Sequence, residues 1–280
     1  MPFLSRQSPY DVCIVGSGAG GGMAAHTLTQ AGANVVLLEA GPLWFSTENS
    51  AMLQWAYRSP RRGASTKERQ FGEFDAALGG FEIEGEPYTR APGTKFDWFR
   101  SRMLGGRTNH WGRISLRFGP SDFRRKSIDG LGDDWPIGYD DLKPYYDRVD
   151  RLIGLFGSRE NLPNEPDGIV QSPPRPRCYE LLVKQAADRL RITCIPSRLS
   201  IITKPLGDRP ACHYCGQCNR GCATNANFSS PAVLLKPALA TGKLTIIPNA
   251  MAREVTTDAR GLADGVAYVD KTTGQDLHVR

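Results

Sequence analysis

The stretch Tyr10-Asp-Val-Cys-Ile-Val-Gly-Ser-Gly-Ala-Gly-Gly-Gly-Met-Ala-Ala-His26, followed by Val35-Val-Leu-Leu-Glu-Ala-Gly41, decides the fold. Val12 to Val15 form a short apolar run that ends in Gly16-x-Gly18-x-x-Gly21. A small-residue helix is expected next, with Ala24, Leu28 and Ala31 at i, i+4 and i+7 on one face. Gly32 is placed to end it, and Val35 to Leu38 read as a second buried strand closing on Glu39. Gly16 permits a tight turn, Gly18 lets backbone approach a pyrophosphate, and Gly21 lets helix pack close to strand. The helix N-terminus then offers unsatisfied N–H groups and its positive dipole end to phosphates. Glu39 follows Gly16 by 23 positions, where an acid accepts from a ribose hydroxyl. Strand, turn, helix, strand and acid in that order predict a βαβ unit for a dinucleotide.

Composition narrows the rest. A chain of 280 residues is long enough for a sizeable core and for two interleaved domains. With 40% hydrophobic and 23% charged residues it has the make-up of an ordinary soluble globular protein. The net charge of +6 is scattered in short groups such as Arg124-Arg125-Lys126, which reads as a solvated surface and excludes a nucleic-acid stripe. No run reaches the ~18 apolar residues of a membrane span. Met1 to Tyr10 lacks a charged n-region followed by an apolar h-region, so a cytoplasmic location is expected; the alternative is periplasmic, by export with a signal-bearing partner.

Residues 42 to 100 are rich in turn formers and aromatics (Trp44, Phe45, Trp55, Tyr57, Tyr88, Phe96, Trp98, Phe99), which suit either core or a substrate pocket. Further on, Asp140 is a plausible N-cap with Pro144 in the first turn, and Leu142, Tyr146, Val149 and Ile153 mark one face of a helix. The proline-rich stretch 161–177 reads as an irregular loop. A second amphipathic helix presents Tyr179, Leu182, Val183, Ala186, Ala187 and Leu190, and strand-like pieces follow at Arg191–Ile195 and Arg198–Thr203. A helix is expected from about Ser230 to Ala240. A meander then uses Leu244–Pro248, Ala252–Thr256, Ala267–Val269 and Leu277–Arg280.

Four of the seven cysteines fall between Cys212 and Cys222, spaced C-x₂-C-x₂-C-x₃-C. Crowding of this kind argues for a metal or redox site before a disulfide framework. Thiolates so spaced can wrap an iron–sulfur cluster, whereas structural zinc prefers two knuckles with a longer spacer. Iron–sulfur, structural cysteines and zinc all stay open on spacing alone.

At Leu104-Gly-Gly-Arg-Thr-Asn-His-Trp111 the sequence resembles the glucose-methanol-choline (GMC) family of flavin oxidoreductases. The βαβ unit, Asp134-Trp-Pro with Tyr145-Tyr146, the cysteine loop and Thr241-Gly-Lys-Leu244 extend the likeness over essentially the whole chain. Within the family it looks most like bacterial membrane- or cytochrome-coupled sugar and polyol dehydrogenases, with some likeness to pyranose oxidases. The resemblance implies an α/β fold: a Rossmann-like FAD-binding domain of parallel sheet plus β-meander, with interleaved substrate or cap segments. Residues 1–45, 100–120 and 190–280 would form the FAD-binding domain, and 46–99 and 121–189 the cap.

It also implies FAD, its pyrophosphate on Gly16, Gly18, Ala19, Gly20 and Gly21 and its ribose on Glu39. The flavin ring would lie along Gly105, Gly106, Thr108, Asn109, His110 and Trp111, and the adenine against Ala252. His110 matches a position that carries a covalent flavin bond in some members and not in others. Some similar dehydrogenases hold a three-iron cluster near the cysteine loop. Cys212, Cys218 and Cys222 would be the favoured ligands here, with Cys215 a fourth, for a [3Fe-4S] or [4Fe-4S] centre. The expected reaction is oxidation of a CH–OH group of a sugar, polyol or alcohol, with hydride passing to the flavin. Electrons would then go to a cytochrome or small-subunit partner. Family members run to about twice this length, so the catalytic base is expected beyond Arg280 and no catalytic residue is named. The alternatives are a non-catalytic flavin or iron–sulfur electron-transfer or scaffold fragment, and a nicotinamide reductase on the same βαβ unit.

Overall fold

The computed structural model describes residues 10–48, 79–80, 89–95, 100–216, 218 and 221–280. Trp55, Tyr57, Tyr88, Phe96, Trp98 and Phe99 lie outside the described residues. The chain divides into two units: Met1–Trp111, Gly216–Asn225 and Ser229–Arg280 form the first, and Gly112–Cys215 with Ala226–Phe228 the second. In chain order the elements begin with β1 (Val12–Val15), α1 (Ala19–Gln30), β2 (Val35–Leu38), β3 (Gly79–Gly80) and β4 (Arg100–Ser101). The helices α2 (Arg125–Asp129), α3 (Tyr139–Ile153), α4 (Cys178–Arg189) and α5 (Lys236–Ala240) follow. The strands β5 (Leu244–Ile247), β6 (Ala250–Thr257), β7 (Ala263–Asp270) and β8 (Asp276–Val279) close the chain.

In the first unit β2 lies between β1 and β5 in a parallel sheet, with Val35 paired to both Val12 and Leu244. All four β2 side chains are buried, as a strand covered on both faces requires. Alternation sends Val35 and Leu37 to one face, where they pack with Ala25, Trp44, Leu235 and Ala238. Val36 and Leu38 point to the other face and meet Ala250, Val266, Tyr268 and Val279 of the antiparallel sheet β6-β7-β8. Each such side chain contributes about 1.5–3 kcal/mol on burial.

Three sequence expectations shift here. The expected meander strand Leu244–Pro248 is instead the third strand of the parallel sheet, β5; only the other three form the meander. A turn at Asn249, with φ of 54°, separates β5 from β6. In α1 the buried residues are Gly22, Ala25 and Thr29; Ala24 and Leu28 flank them and Ala31 is exposed. The cause is a close approach: a Cβ on Gly22 would lie 2.0 Å from Ser230 Oγ. The helix expected from Ser230 starts as a π-helical turn, Pro231–Leu235, and continues as α5.

The second unit holds together differently. Its α3 starts at Tyr139, with Gly138 as N-cap in place of Asp140, and Gly138 N–H donates to Asp141 Oδ2 at 2.7 Å. Pro144 consequently sits in the second turn. The expected strands at 191–195 and 198–203 do not form; single bridges join Leu199 to Ile114 and Phe156, and Ile201 to Asn227. Pro196 lacks the N–H a ladder needs, and Arg191 turns the chain at φ of 57°. No residue of α4 is buried, so its amphipathic face (Tyr179, Leu182, Val183) is exposed.

Arg124, Arg125 and Lys126 are exposed as a solvated surface requires, whereas Arg113, Arg117, Arg198 and Arg209 are buried. Arg117 bonds Asp147 at 2.6 Å, Asp150, and the Tyr139 hydroxyl at 3.0 Å, and lies over the Tyr146 ring. Burial of the guanidinium opposes its charge. The bonds to Asp150, Asp147 and Tyr139 outweigh this and hold its pKa above the ordinary arginine value. Arg198 joins Asp167 at 3.0 Å to the Pro166 carbonyl at 2.6 Å. Between Arg113 and Arg117 the alternation is inverted: both arginines point inward while Ile114, Leu116 and Phe118 are exposed.

Candidate functional site

The site grows out of the turn between β1 and α1. Gly16 takes φ of 89°, and Gly16 N–H donates to Leu38 O at 2.8 Å. A Cβ on Gly21 would sit 1.9 Å from Gly16 O and 3.2 Å from Ile14 Cγ2, so only glycine allows helix and strand to meet this closely. At Gly18, the N-cap of α1, an added Cβ meets nothing within 4 Å. The backbone bonds of α1 begin at Gly22 N–H, and no side chain caps its start. The N–H groups of Ala19, Gly20 and Gly21 therefore face an open cradle at the positive end of the helix.

Glu39 ends β2 and is buried. Its Oε2 accepts from Ser17 N–H at 3.1 Å and from the Ser17 hydroxyl, and its Oε1 accepts from Gly41 N–H at 2.9 Å. A carboxylate has about four acceptor sites, which leaves capacity for a ribose hydroxyl. The Glu39 backbone is fixed as well: its N–H donates to Ile247 O at 3.0 Å and its carbonyl accepts from Ala250 N–H at 2.8 Å. Ala252 lies two residues further along β6, half-buried against the cluster under β2.

The second loop is a 3₁₀ turn, Gly106–Asn109, capped by Gly105 at φ of 85°. A Cβ on Gly105 would fall 2.3 Å from Pro231 Cδ, which makes glycine obligatory there. Gly105 N–H donates to Ser17 Oγ at 2.7 Å, and the Thr108 hydroxyl donates to Gly105 O at 2.6 Å. Asn109 Nδ2 donates to Leu104 O at 2.8 Å. His110 is buried, its Nε2 bonded to Ser101 Oγ, and Trp111 is half-buried beside it. Both loops and Glu39 thus meet on Ser17.

Every residue expected to hold the dinucleotide lies in the first unit. Pattern reading missed Ser17 and Ser230. Ser17 occupies the unspecified place in Gly-x-Gly, and Ser230 reaches it from 213 positions away, so no local signal marks either. The cysteines are divided: Cys212 and Cys215 belong to the second unit, and Cys218 and Cys222 to the first. Among the described residues no group of three or more His, Cys, Asp or Glu side chains is placed to hold a metal ion.

The fold and this cradle define a dinucleotide-binding core. Residues 11–132 match the family described as FAD binding domain, and residues 98–280 that described as GMC oxidoreductase. The chain belongs to the GMC oxidoreductase family. It is 30% identical over 279 residues to 2-methyl-1,2-propanediol dehydrogenase of Mycolicibacterium austroafricanum, covering 94% of this chain and 46% of that protein. It is 26% identical over 283 residues to the fructose dehydrogenase large subunit of Gluconobacter japonicus, covering 93% of this chain and 48% of that protein. Pyridoxine 4-oxidase from Mesorbium loti superposes with a TM-score of 0.55 at 18% identity, covering 96% of this chain and 47% of that one. That likeness concerns the fold alone. The chain spans about half the length of the curated relatives it matches.

Proposed function

We propose that this chain is the FAD-binding portion of a dehydrogenase or oxidase acting on CH–OH groups of sugars or polyols. The observation that carries the reading is the open cradle at Gly18, set between unsatisfied helix N–H groups and the buried acid Glu39. The pyrophosphate fits on the N–H groups of Ala19, Gly20 and Gly21, where the helix dipole favours anions. Glu39 accepts from the ribose, Ala252 offers a small side chain to the adenine, and the Gly105–Trp111 loop, with His110, lines the ring. Bound FAD supplies a two-electron acceptor for hydride, and the protein supplies binding, orientation and electrostatics. Ser17, Thr108 and Asn109 hold the loop backbone, so the surface offered to the ring is fixed before the cofactor arrives.

The substrate class rests on the names of the relatives. Fructose dehydrogenase supports a sugar, propanediol dehydrogenase supports a polyol, and the term large subunit supports an electron-transferring partner. An iron–sulfur relay rests on the cysteine spacing alone, and iron analysis after oxygen-free purification tests it.

Gly18→Val tests the cofactor reading. The open space accepts the side chain, so thermal unfolding of the cofactor-free chain should stay within a few degrees of wild type. FAD affinity should fall by roughly 100-fold or more, because the side chain occupies the phosphate path. Equal flavin retention by the two proteins after gel filtration would overturn the assignment. Acid precipitation of the flavin-loaded protein decides whether His110 carries a covalent bond.

A further inference from the structure

We infer that Ser17 is a positioning residue that couples the two ends of the cofactor site, a role that rests on the FAD reading above. One hydroxyl stands between the acid assigned to the ribose and the loop assigned to the flavin ring. Gly105 N–H donates to Ser17 Oγ at 2.7 Å, and the same hydroxyl donates its only proton to Glu39 Oε2. Donor, hydroxyl and carboxylate lie in series, so each bond polarises the next. The charge on Glu39 makes the Ser17 oxygen a better acceptor for Gly105.

A closed circuit surrounds this relay. The Thr108 hydroxyl donates to Gly105 O at 2.6 Å, and Ser230 N–H donates to Thr108 Oγ1 at 3.0 Å. The Ser230 hydroxyl returns to Ser17 O at 2.8 Å. Ser17 and Ser230 are fully buried, so water does not stand in for a lost bond. Gly105 has little room to adjust, being held at φ of 85° against Pro231. The Gly105 amide therefore senses the strength of its bond to Ser17 within a loop that the other bonds hold in place. A ribose hydroxyl that donates to Glu39 draws on the same carboxylate charge, and that change reaches Gly105 through Ser17.

The test compares wild type, Glu39→Gln, Ser17→Ala and the double variant, each titrated with FAD. Glu39→Gln removes the charge and keeps one acceptor oxygen for Ser17, while the position that accepts from Gly41 N–H becomes an amide NH2. It should shift the visible absorption of the bound flavin although it lies at the ribose end. In the Ser17→Ala background the same substitution should give no further spectral shift. The combined loss of affinity should fall short of the product of the single losses by about three- to tenfold, the margin between charged and neutral hydrogen bonds. Additive losses, or an unchanged flavin spectrum in Glu39→Gln, would overturn the coupling.

Hydrogen exchange on the cofactor-free chain gives an answer that needs neither flavin nor the Ser17 variant. The Gly105 amide should exchange about three- to tenfold faster in Glu39→Gln than in wild type. The amide of Val266, in β7, should not change. Equal Gly105 exchange in the two proteins would also sink the inference. A chain that fails to retain FAD would count against the proposed function, while the exchange result would still decide the role of Ser17.

Discussion

Leu37 in β2 and Arg117 in the second unit are both buried, and they hold their surroundings by opposite chemistry. Leu37 belongs to a sheet whose two faces are filled by Val, Leu, Ile and Ala, where the energy scales with apolar area and is spread over many contacts. Arg117 gathers Asp147, Asp150 and Tyr139 around one cation. Its energy is concentrated in a few charge-assisted bonds that repay desolvation only while all the partners are present. The first arrangement loses stability gradually as groups are trimmed, and the second fails when one partner goes. The difference bears on function, because the glycine cradle and Ser17 lie in the apolar-cored unit.

The sharpest break is Arg117→Ala, which takes the shared cation away from Asp147 and the buried Asp150. It should lower the protection of α3 amides by about 3–5 kcal/mol, read by native-state hydrogen exchange. A cost below about 1 kcal/mol would show that the ion cluster does not organise the unit. Leu37→Ala should come next, at about 2–5 kcal/mol in the protection of β2 amides, with the exact cost set by how far the cavity collapses. If Leu37→Ala costs much more than Arg117→Ala, the ranking of the two units is reversed.

The smallest effect concerns pH. The bond from Lys143, then that from Arg117, holds the Asp147 carboxyl below the usual carboxylate range. A depressed folded pKa contributes stability above the unfolded value of about 3.9, and that stability is lost as pH falls through the folded pKa. Protection of α3 should therefore decline below about pH 4 in wild type. Asp147→Asn should flatten that decline, and an identical acid profile for the variant would remove Asp147 from the account.

The β1–α1–β2 part of the parallel sheet could be read from the sequence because local pattern and tertiary role agree there, whereas β5 could not. Val12–Val15 and Val35–Leu38 are strands at the bounds their apolar runs give, and Gly21 packs as its place in the motif requires. The second unit could not be read in this way. The run 113–118 looks like an ordinary amphipathic strand, but Arg117 faces inward because Asp147 and Asp150, some thirty positions along the chain, receive it. Periodicity reports which residues share a face and carries no information on which face is covered.

By itself, the sequence determined the βαβ unit, the glycine turn, the acid at its end and the family these belong to. The first three are local matters of backbone freedom, alternation or spacing within about one βαβ length, and the family was recognised by resemblance at Leu104–Trp111. Only the tertiary structure decided that Ser17 joins Glu39 to Gly105, that Ser230 closes the circuit, and that four arginines lie inside. These are hydrogen bonds between groups from 22 to 213 positions apart. Their partners are selected by burial, since a buried donor without an acceptor costs about 1–3 kcal/mol.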